Sequence, residues 1–469
     1  MNSIEFIKKV NEGAIDIVKH TESVLESCKN IDKNYDCFIT IAEKSALEQA
    51  KEIKKRLSKK EKLPLAGLPV SIKDCISTKG IRTTAGSKIL ENYIPPYDAE
   101  VILKLKKAGA IIIGKTAQDE FGFGTFSTNC AFKIPKNPLD RDHSAGGSSG
   151  GAGVITKKAD FPHIAIAEST GGSISAPSSF CGVFGLTPSY GLVSRYGLIS
   201  YADSLDKIGV MAKSTKEIEL MLNQISGFDK KDATSLQIKK KFKIKKEFKG
   251  MKIGIPKECL KNIDKSVENS FYSAVEKLKK QDIKVEETSF PLSKYVVSAY
   301  YVIAVSEAST NLAHLCGMRY GLSDKLEGGF NEFFSKVRTQ GFGEEAKRRI
   351  ILGTYARMAG YREQYYLKAM KVRTLIINDY LKLFKKYSAL ISPTMPVLSP
   401  RFEEIEKLTP LQNYQMDILT VGPNLAGIPM LNVPLETKTL PAGLHILGNY
   451  LDEDKLLSLG SVFGWAKEK

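Results

Sequence analysis

The pattern of apolar and polar positions begins with two stretches of helical periodicity. Residues 3–30 and 42–60 repeat apolar side chains at the spacing of one helix face. In the second stretch, Ile53 and Leu57 share that face, and the stretch ends in a lysine-rich turn. We interpret residues 1–61 as an N-terminal helical arm that packs on a larger body.

From residue 62 onward, short apolar runs alternate with stretches of helical character. The runs predict buried strands at 65–72, 110–113, 251–256 and 283–285. Start and stop signals for the intervening helices lie at Asp98, Gly109 and Ser214. Alternation of this kind is typical of an α/β sandwich with a mostly parallel sheet.

Two stretches depart from this alternation. Residues 228–250 are rich in lysine and poor in apolar side chains, which indicates a surface excursion or linker rather than a repeat. Residues 344–386 are predicted to form one long helical region.

The composition adds a strong positive charge. The 469 residues carry 69 basic and 52 acidic side chains, a formal charge of +17. This suggests an anionic partner such as nucleic acid, although no nucleic-acid motif is present. The seven cysteines form no C-x-x-C pair, which is typical of reduced thiols. The N-terminus is too polar for a signal peptide, and no apolar run reaches the ~18–20 residues of a membrane span, so we expect a cytoplasmic protein.

Two glycine-rich loops are the candidate chemistry. Residues 144–151 read Ser-Ala-Gly-Gly-Ser-Ser-Gly-Gly, and residues 169–177 read Ser-Thr-Gly-Gly-Ser-Ile-Ser-Ala-Pro. A flexible linker is one alternative, but core-like apolar runs at 152–155 and 164–167 adjoin the loops. A phosphate-binding loop is another, but the first loop has neither the lysine nor the glycine frame that such loops need.

The third interpretation is a nucleophile loop with an oxyanion hole. Backbone N–H groups of Thr170, Gly171 and Gly172 would surround a reacting oxygen, and Ser173 would attack the carbon that bears it. A serine nucleophile needs a base, and none of the five histidines lies in a nucleophile-elbow context. Lys73, at the end of an apolar strand, can serve instead, since burial disfavours the charged form of an amine.

These motifs closely resemble the amidase signature family, which uses a Ser–Ser–Lys triad. The resemblance rests on Lys73 and on the loops at 146–151 and 170–173, and it extends from about residue 20 to the C-terminus. It implies that Ser173 is the acyl nucleophile, that Ser148 is a bridging serine after a cis peptide bond, and that Lys73 is the base. It also implies one large sheet flanked by helices, so we treat residues 62–469 as a single catalytic domain with no metal site.

The second loop departs from the common form of the family, Ser-Asp-Thr-Gly-Gly-Ser-Ile-Arg. Here Glu168 and Ser169 replace the Ser-Asp pair, so the acid has moved one place, and Ser175 replaces the arginine. If the missing acid and arginine support each other in the common form, losing both is self-consistent, because one buried charge left alone would be costly.

The second half of the chain resembles one branch of the family, the A subunits of glutamyl/aspartyl-tRNA amidotransferases. The similar segments lie at 300–304, 347–354 and 371–376 and around Asp417. The resemblance implies that Tyr300, Arg349 and Asp417 hold free glutamine. Arginine suits an α-carboxylate, and aspartate suits an α-ammonium group. Without the resemblance, Arg348 and Arg349 are more simply a solvated helix face.

The resemblance implies a glutaminase subunit that supplies ammonia for converting Glu-tRNA(Gln), Asp-tRNA(Asn) or both to the amidated forms. It implies a B subunit that carries ATP and Mg²⁺ and activates the mischarged tRNA, and a small C subunit wrapped around this chain, which itself holds no cofactor. Two alternatives remain at this point. One is a stand-alone small-molecule amidase, and the other is a catalytically silent binding subunit.

Overall fold

The computed structural model describes residues 1–326 and 328–464 and is built on one large mixed sheet. Its eleven strands follow the order β1-β3-β2-β4-β6-β5-β10-β11-β9-β7-β8 across the described part of the chain. The strands are β1 (Phe38–Ile41), β2 (Pro69–Lys73), β3 (Ile111–Thr116), β4 (Ile164–Ser169), β5 (Phe184–Thr187), β6 (Lys207–Ala212), β7 (Lys252–Pro256), β8 (Lys284–Thr288), β9 (Ala389–Pro393), β10 (Met430–Leu435) and β11 (Ala442–Leu447).

The directions of the strands correct one part of the prediction. The sheet is mixed as expected, but it is not mostly parallel. Among the described strands, six neighbouring pairs are antiparallel and four are parallel. The centre of the sheet, from β4 to β9, is antiparallel throughout. The short connection between β10 and β11 explains part of this, because a hairpin reverses the chain without a crossover helix.

Helices flank this sheet and complete the α/β architecture that the sequence predicts. The α-helices are α1 (Ser3–Asn11), α2 (Ile17–Tyr35), α3 (Glu43–Ser58), α4 (Glu100–Ala108), α5 (Gly150–Lys158), α6 (Ser175–Cys181), α7 (Thr215–Ile225), α8 (Lys265–Lys279), α9 (Val296–Asn311), α10 (Phe330–Gly341), α11 (Glu344–Arg357), α12 (Lys368–Lys386), α13 (Phe402–Ile405), α14 (Pro410–Gln415), α15 (Val421–Leu425) and α16 (Glu453–Gly460). Within the described residues, no helix combines the length and the apolar character that crossing a membrane requires.

The N-terminal segment contains helices, as predicted, and also a strand that the sequence analysis missed. The predicted helix 3–30 is divided into α1 and α2, with Gly13 in the left-handed region at φ 75°. Strand β1 pairs antiparallel with β3 and forms an edge of the sheet. Phe6 and Val10 of α1 are buried in the same apolar core as the sheet. The boundary at residue 62 remains a prediction.

The helix signals were correct at two positions and wrong at a third. The Ser214 side chain caps α7 by accepting a hydrogen bond from the Glu217 N–H. Gly109 ends α4 in the left-handed region, at φ 89°. Asp98 does not cap α4, since its carboxylate accepts the Lys79 N–H and pairs with Lys106.

The two stretches that depart from the alternation also have distinct structures. Residues 228–250 contain no helix or strand, and most of the lysines in this stretch lie at the surface. Phe242 anchors the stretch in the apolar core. The helical region 344–386 is interrupted: α11 ends before Gly360, which adopts φ 83°, and one π-helical turn at Glu363–Leu367 leads into α12.

The close packing of α11 on α9 predicts a large cost for one substitution. A Cβ atom at Gly353 would lie 2.5 Å from the carbonyl carbon of Val305 in α9 and closer still to its oxygen. We expect Gly353→Ala to lower the free energy of unfolding by about 3 kcal/mol, because backbone cannot move aside as a side chain can. Thr354→Ala, at an exposed position of α11, is the control and should change stability by less than about 0.5 kcal/mol. Thermal unfolding of both variants checks this, and equal stabilities would contradict it.

Candidate active site

Lys73 is the last residue of β2, a strand that is buried along its whole length. Its side chain is completely buried and lies within hydrogen-bond distance of three oxygen atoms. The Nζ atom is 2.7 Å from Ser148 Oγ, 2.9 Å from the Glu168 carbonyl oxygen and 2.9 Å from Glu168 Oε2. The structure therefore joins the predicted base to the predicted bridging serine.

Ser148 follows a cis peptide bond from Gly147, as the resemblance implies. The loop lies just before α5 and packs tightly on its surroundings. A Cβ atom at Gly147 would come within 2.6 Å of the Ser127 backbone nitrogen, and one at Gly146 would come within 2.8 Å of the Pro177 Cα atom. The contact with Pro177, in α6, brings the two glycine-rich loops together.

Ser173 lies in the loop between β4 and α6 and is 6% exposed. The backbone N–H groups of residues 170–173 donate no hydrogen bond to any described group. They are therefore available for the oxyanion that the sequence analysis assigns to Thr170, Gly171 and Gly172. A Cβ atom at Gly171 would lie 2.8 Å from Tyr300 Oη. No hydrogen bond joins Ser173 to Ser148 within the described chain.

The residues that depart from the family pattern have clear partners. Glu168 accepts from Lys73 and also from the hydroxyl of Thr170, at 2.8 Å. Ser175 Oγ lies 3.3 Å from His445 Nε2, and burial lowers the pKa of His445 to about 3. Position 175 thus faces a neutral imidazole. The acidic residue of this loop, Glu168, which the sequence places one position earlier than in the common form, contacts the proposed base, Lys73.

Aromatic side chains surround Arg349 beside these loops, and we call this group of residues the pocket. Arg349 lies on α11 and is only 3% exposed. Its guanidinium carbon is 5.0 to 5.6 Å from the centres of four rings, those of Phe123, Tyr201, Tyr301 and Tyr414.

The hydrogen bonds of Arg349 leave one amino group free within the described chain. Its Nε donates to Glu345 at 2.7 Å, and its Nη1 donates to Tyr201. Burial alone would lower the pKa of Arg349, but Tyr201 and Glu345 outweigh it and raise the pKa, so the guanidinium stays charged. The neighbouring Arg348 is exposed and, among the described residues, pairs with Glu345 alone, so the interpretation as a solvated face fits Arg348 and not Arg349.

The other two predicted substrate residues adjoin the same pocket. Tyr300 packs on Gly171 and lies beside Tyr201, the residue that accepts a hydrogen bond from Arg349. Asp417 is buried and accepts hydrogen bonds from Tyr301 at 2.6 Å and from Thr125 at 3.0 Å. Burial raises the pKa of the Asp417 carboxyl above its usual value, against the effect of these donors.

Several residues of this pocket were not found by sequence analysis. They come from distant parts of the chain and carry no local motif. They are Thr125, Tyr201, Tyr301, Glu345 and Tyr414. Among these residues, only Tyr301 could have been found from the sequence, since it directly follows Tyr300, a predicted substrate-binding residue.

Comparison with known proteins gives a family for this chain. Residues 19–457 match the family model described as Amidase. Among curated relatives, the A subunit of glutamyl-tRNA(Gln) amidotransferase from Archaeoglobus fulgidus is 47% identical, over 94% of this chain and 95% of its own length. The corresponding protein of Sulfolobus acidocaldarius, which bears the same name, is 44% identical, over 97% of this chain and 96% of its own length.

Solved structures give the same result. The crystal structure of the A subunit of glutamyl-tRNA(Gln) amidotransferase from Thermotoga maritima is 35% identical, with a TM-score of 0.79 over 95% of this chain and 91% of that one. Peptide amidase from Stenotrophomonas maltophilia shares the fold, with a TM-score of 0.83 at 24% identity over 99% of this chain and 96% of that one. The resemblance seen in the motifs is confirmed, and the chain belongs to the amidase family.

Proposed function

We propose that this chain is the glutaminase subunit of a tRNA-dependent amidotransferase. The observation that carries the proposal is the buried pair of Arg349 and Asp417, which Tyr301 connects in a pocket beside the nucleophile loop. A free amino acid offers a carboxylate to the first and an ammonium group to the second. The relatives named as A subunits of glutamyl-tRNA(Gln) amidotransferase support the same assignment.

The proposed reaction uses the three residues in sequence. Lys73 accepts the proton of Ser148, which accepts the proton of Ser173 as the latter attacks the side-chain amide of glutamine. The N–H groups of residues 170–173 stabilise the oxyanion that forms on the amide oxygen. Ammonia leaves, and water then hydrolyses the glutamyl ester on Ser173.

The ammonia has a use only if a second site consumes it. We place that site on a partner B subunit, which binds ATP and Mg²⁺ and activates the carboxyl group of mischarged Glu-tRNA(Gln) or Asp-tRNA(Asn). A small C subunit completes the complex. The names of the relatives, each the A subunit of an amidotransferase, support an assembly of several subunits.

The alternative of a stand-alone small-molecule amidase has less support, and least of all an enzyme for fatty amides. Such an enzyme needs an apolar channel beside the nucleophile. Here that region holds the charged Arg349 and the buried carboxyl group of Asp417, each with its own hydrogen-bonded neighbours.

Replacement of Arg349 tests the proposal. We expect Arg349→Ala to raise the glutamine KM and to lower kcat/KM. The decrease in kcat/KM should correspond to a loss of binding free energy of about 2–5 kcal/mol, the usual loss for a buried charge contact. Arg348→Ala, one residue away on the exposed side of α11, is the control and should leave both constants near wild type. Steady-state glutaminase assays of the two variants check this, and unchanged glutamine kinetics in Arg349→Ala would remove it from the pocket.

Ammonium salt separates the two sites of the proposed complex. Arg349→Ala, assembled with the B and C subunits, should still amidate mischarged tRNA when ammonium replaces glutamine. The reason is that supplied ammonia bypasses the glutamine pocket. If a correctly assembled variant complex is not rescued by ammonium, the two-site scheme is wrong for this protein.

A further inference from the structure

A buried carboxylate contacts the proposed base of the triad. Glu168 Oε2 is 2.9 Å from Lys73 Nζ, and the Glu168 and Lys73 side chains are 4% and 0% exposed. The carbonyl oxygen of Glu168 accepts from the same amine at 2.9 Å and from the Ser149 hydroxyl at 3.1 Å. Glu168 therefore fixes Lys73 from two directions, while Ser148 Oγ occupies a third.

A second buried carboxyl group is connected to Glu168 through one hydroxyl. Thr170 Oγ1 lies 2.8 Å from Glu168 Oε1 and 2.8 Å from Asp206 Oδ1. A hydroxyl group has one hydrogen and can donate it to only one of these oxygens. If both contacts are hydrogen bonds, the other carboxyl group donates to Thr170, and Glu168 and Asp206 then hold one proton between them.

The surroundings locate that proton on Asp206. Burial raises the pKa of the Asp206 carboxyl well above its usual range, and the nearby charge of Glu168 raises it further. Both effects act against the backbone N–H groups of Tyr201 and Ala202, which donate to this carboxyl at 2.9 to 3.1 Å and lower its pKa. Glu168 Oε2 contacts the amine of Lys73 at 2.9 Å, and its other oxygen, Oε1, faces the Thr170 hydroxyl. The hydrogen-bond chain therefore runs from Asp206 Oδ1 to Thr170 Oγ1 and on to Glu168 Oε1.

We propose that Glu168 is the positioning residue of the triad, and that Asp206, through the Thr170 hydroxyl, holds one proton beside it. The proposal deepens the proposed function and rests on it, because Lys73 must act as the base for Ser173. Glu168 orients the amine toward Ser148 and stabilises the ammonium group that forms during acylation. Because Asp206 is neutral, no second negative charge lies near Lys73. Such a charge would favour the protonated form of the Lys73 amine.

The charges balance through the acylation step. The proton of Ser173 moves to Ser148 Oγ as the bond to the amide carbon forms, and the proton of Ser148 moves to Lys73 Nζ. The new ammonium charge faces the Glu168 carboxylate, while Asp206 remains neutral. The ammonium then returns a proton through Ser148 to the leaving nitrogen, and ammonia departs.

Other ionisable groups also act on this cluster and must be considered in any pH profile. Burial raises the pKa of Asp119 to about 6. Burial likewise raises the pKa of Tyr201 to about 12 and that of Cys75 above its usual range. Further charged neighbours within the described residues are Asp74, Asp203, Lys115 and Arg349. All of these are retained in the variants below, so a difference between profiles reports the substituted carboxyl group.

The experiment compares the pH dependence of wild type and Glu168→Gln, using the full chain. A fluorophosphonate probe, which reacts with an activated serine whatever the amide substrate, measures the rate of labelling at Ser173. We expect Glu168→Gln to lower the plateau rate by about 100-fold, because the ammonium loses its counter-charge. We also expect the acid limb of the profile to move to lower pH by about one unit, because the protonated amine is less favoured.

Three further variants make the outcome decisive. Glu453→Gln removes another buried carboxylate, one bound to the Ser189 N–H at 2.8 Å, and should leave the limb in place. Glu168→Asp keeps the negative charge but places it farther from Lys73, so the acid limb of the pH profile should move in the same direction and by less. This variant tests the proposal even if Glu168→Gln does not fold. Asp206→Asn imitates the neutral carboxyl group and should leave the limb where it is in wild type.

The results that would overturn the proposal are specific. If the limb of both Glu168 variants coincides with that of wild type, Glu168 has only a structural role. If Asp206→Asn moves the limb to lower pH, Asp206 is ionised and no proton is shared. Wild-type labelling at Ser173 without glutamine hydrolysis would instead contradict the proposed function and leave this proposal standing.

Discussion

Ser173→Ala should reduce glutamine hydrolysis by about 10⁴-fold or more, since it removes the covalent route while the other residues of the site cannot act without it. The structure supports a selective effect. Ser173 forms no hydrogen bond to Ser148 within the described chain, so its loss breaks no such contact in the resting enzyme. Release of ammonia from glutamine is the measurement, with thermal unfolding to show that the variant is folded.

A second serine on the following helix provides the control. Ser178 is buried in α6, and its hydroxyl has no hydrogen-bond partner within the described chain. Ser178→Ala should therefore leave the rate close to wild type. If Ser173→Ala kept full activity, the nucleophile would have to be Ser148 or Ser149. In the assembled complex, ammonium should restore tRNA amidation to Ser173→Ala, because the supplied ammonia replaces the ammonia that glutamine hydrolysis would release.

The residues of the proposed triad lie in local motifs, which is why the sequence could indicate them. The glycines at 146, 147, 171 and 172 are needed where backbone approaches other groups closely, and such positions leave a mark in the sequence. The Lys73–Glu168 contact leaves none, because it joins residues 95 positions apart and depends on the pairing of β2 with β4. Glu168 was visible only as a departure from the family pattern.

The same distinction explains the fold. Helix ends at Ser214 and Gly109 were predicted because a cap is a local hydrogen bond or a local backbone conformation. The direction of neighbouring strands is not local, so alternation of helices and strands suggested more parallel pairing than exists. Strand β1 has four residues, too few for a periodic signal, and becomes a strand only by pairing with β3.

Removal of Lys73 should have two separate effects, one on catalysis and one on stability. We expect Lys73→Met to lower glutamine hydrolysis by about 10³-fold or more, since no general base then faces Ser148. It should also lower the free energy of unfolding by about 3–5 kcal/mol, because Glu168 is left as a buried charge without its partner. Lys73→Arg should not restore activity, because a guanidinium group stays protonated at any working pH.

A double variant distinguishes these effects. Lys73→Met combined with Glu168→Gln removes both charges, so we expect stability to recover most of what Lys73→Met loses. Activity should remain as low as in the single variant, because neither methionine nor glutamine can accept the Ser148 proton. Paired denaturation and glutaminase measurements check this. If the double variant is no more stable than Lys73→Met, the loss of stability does not come from an unpaired Glu168 charge. The 2.9 Å contact of Lys73 with Glu168 is then not a stabilising ion pair.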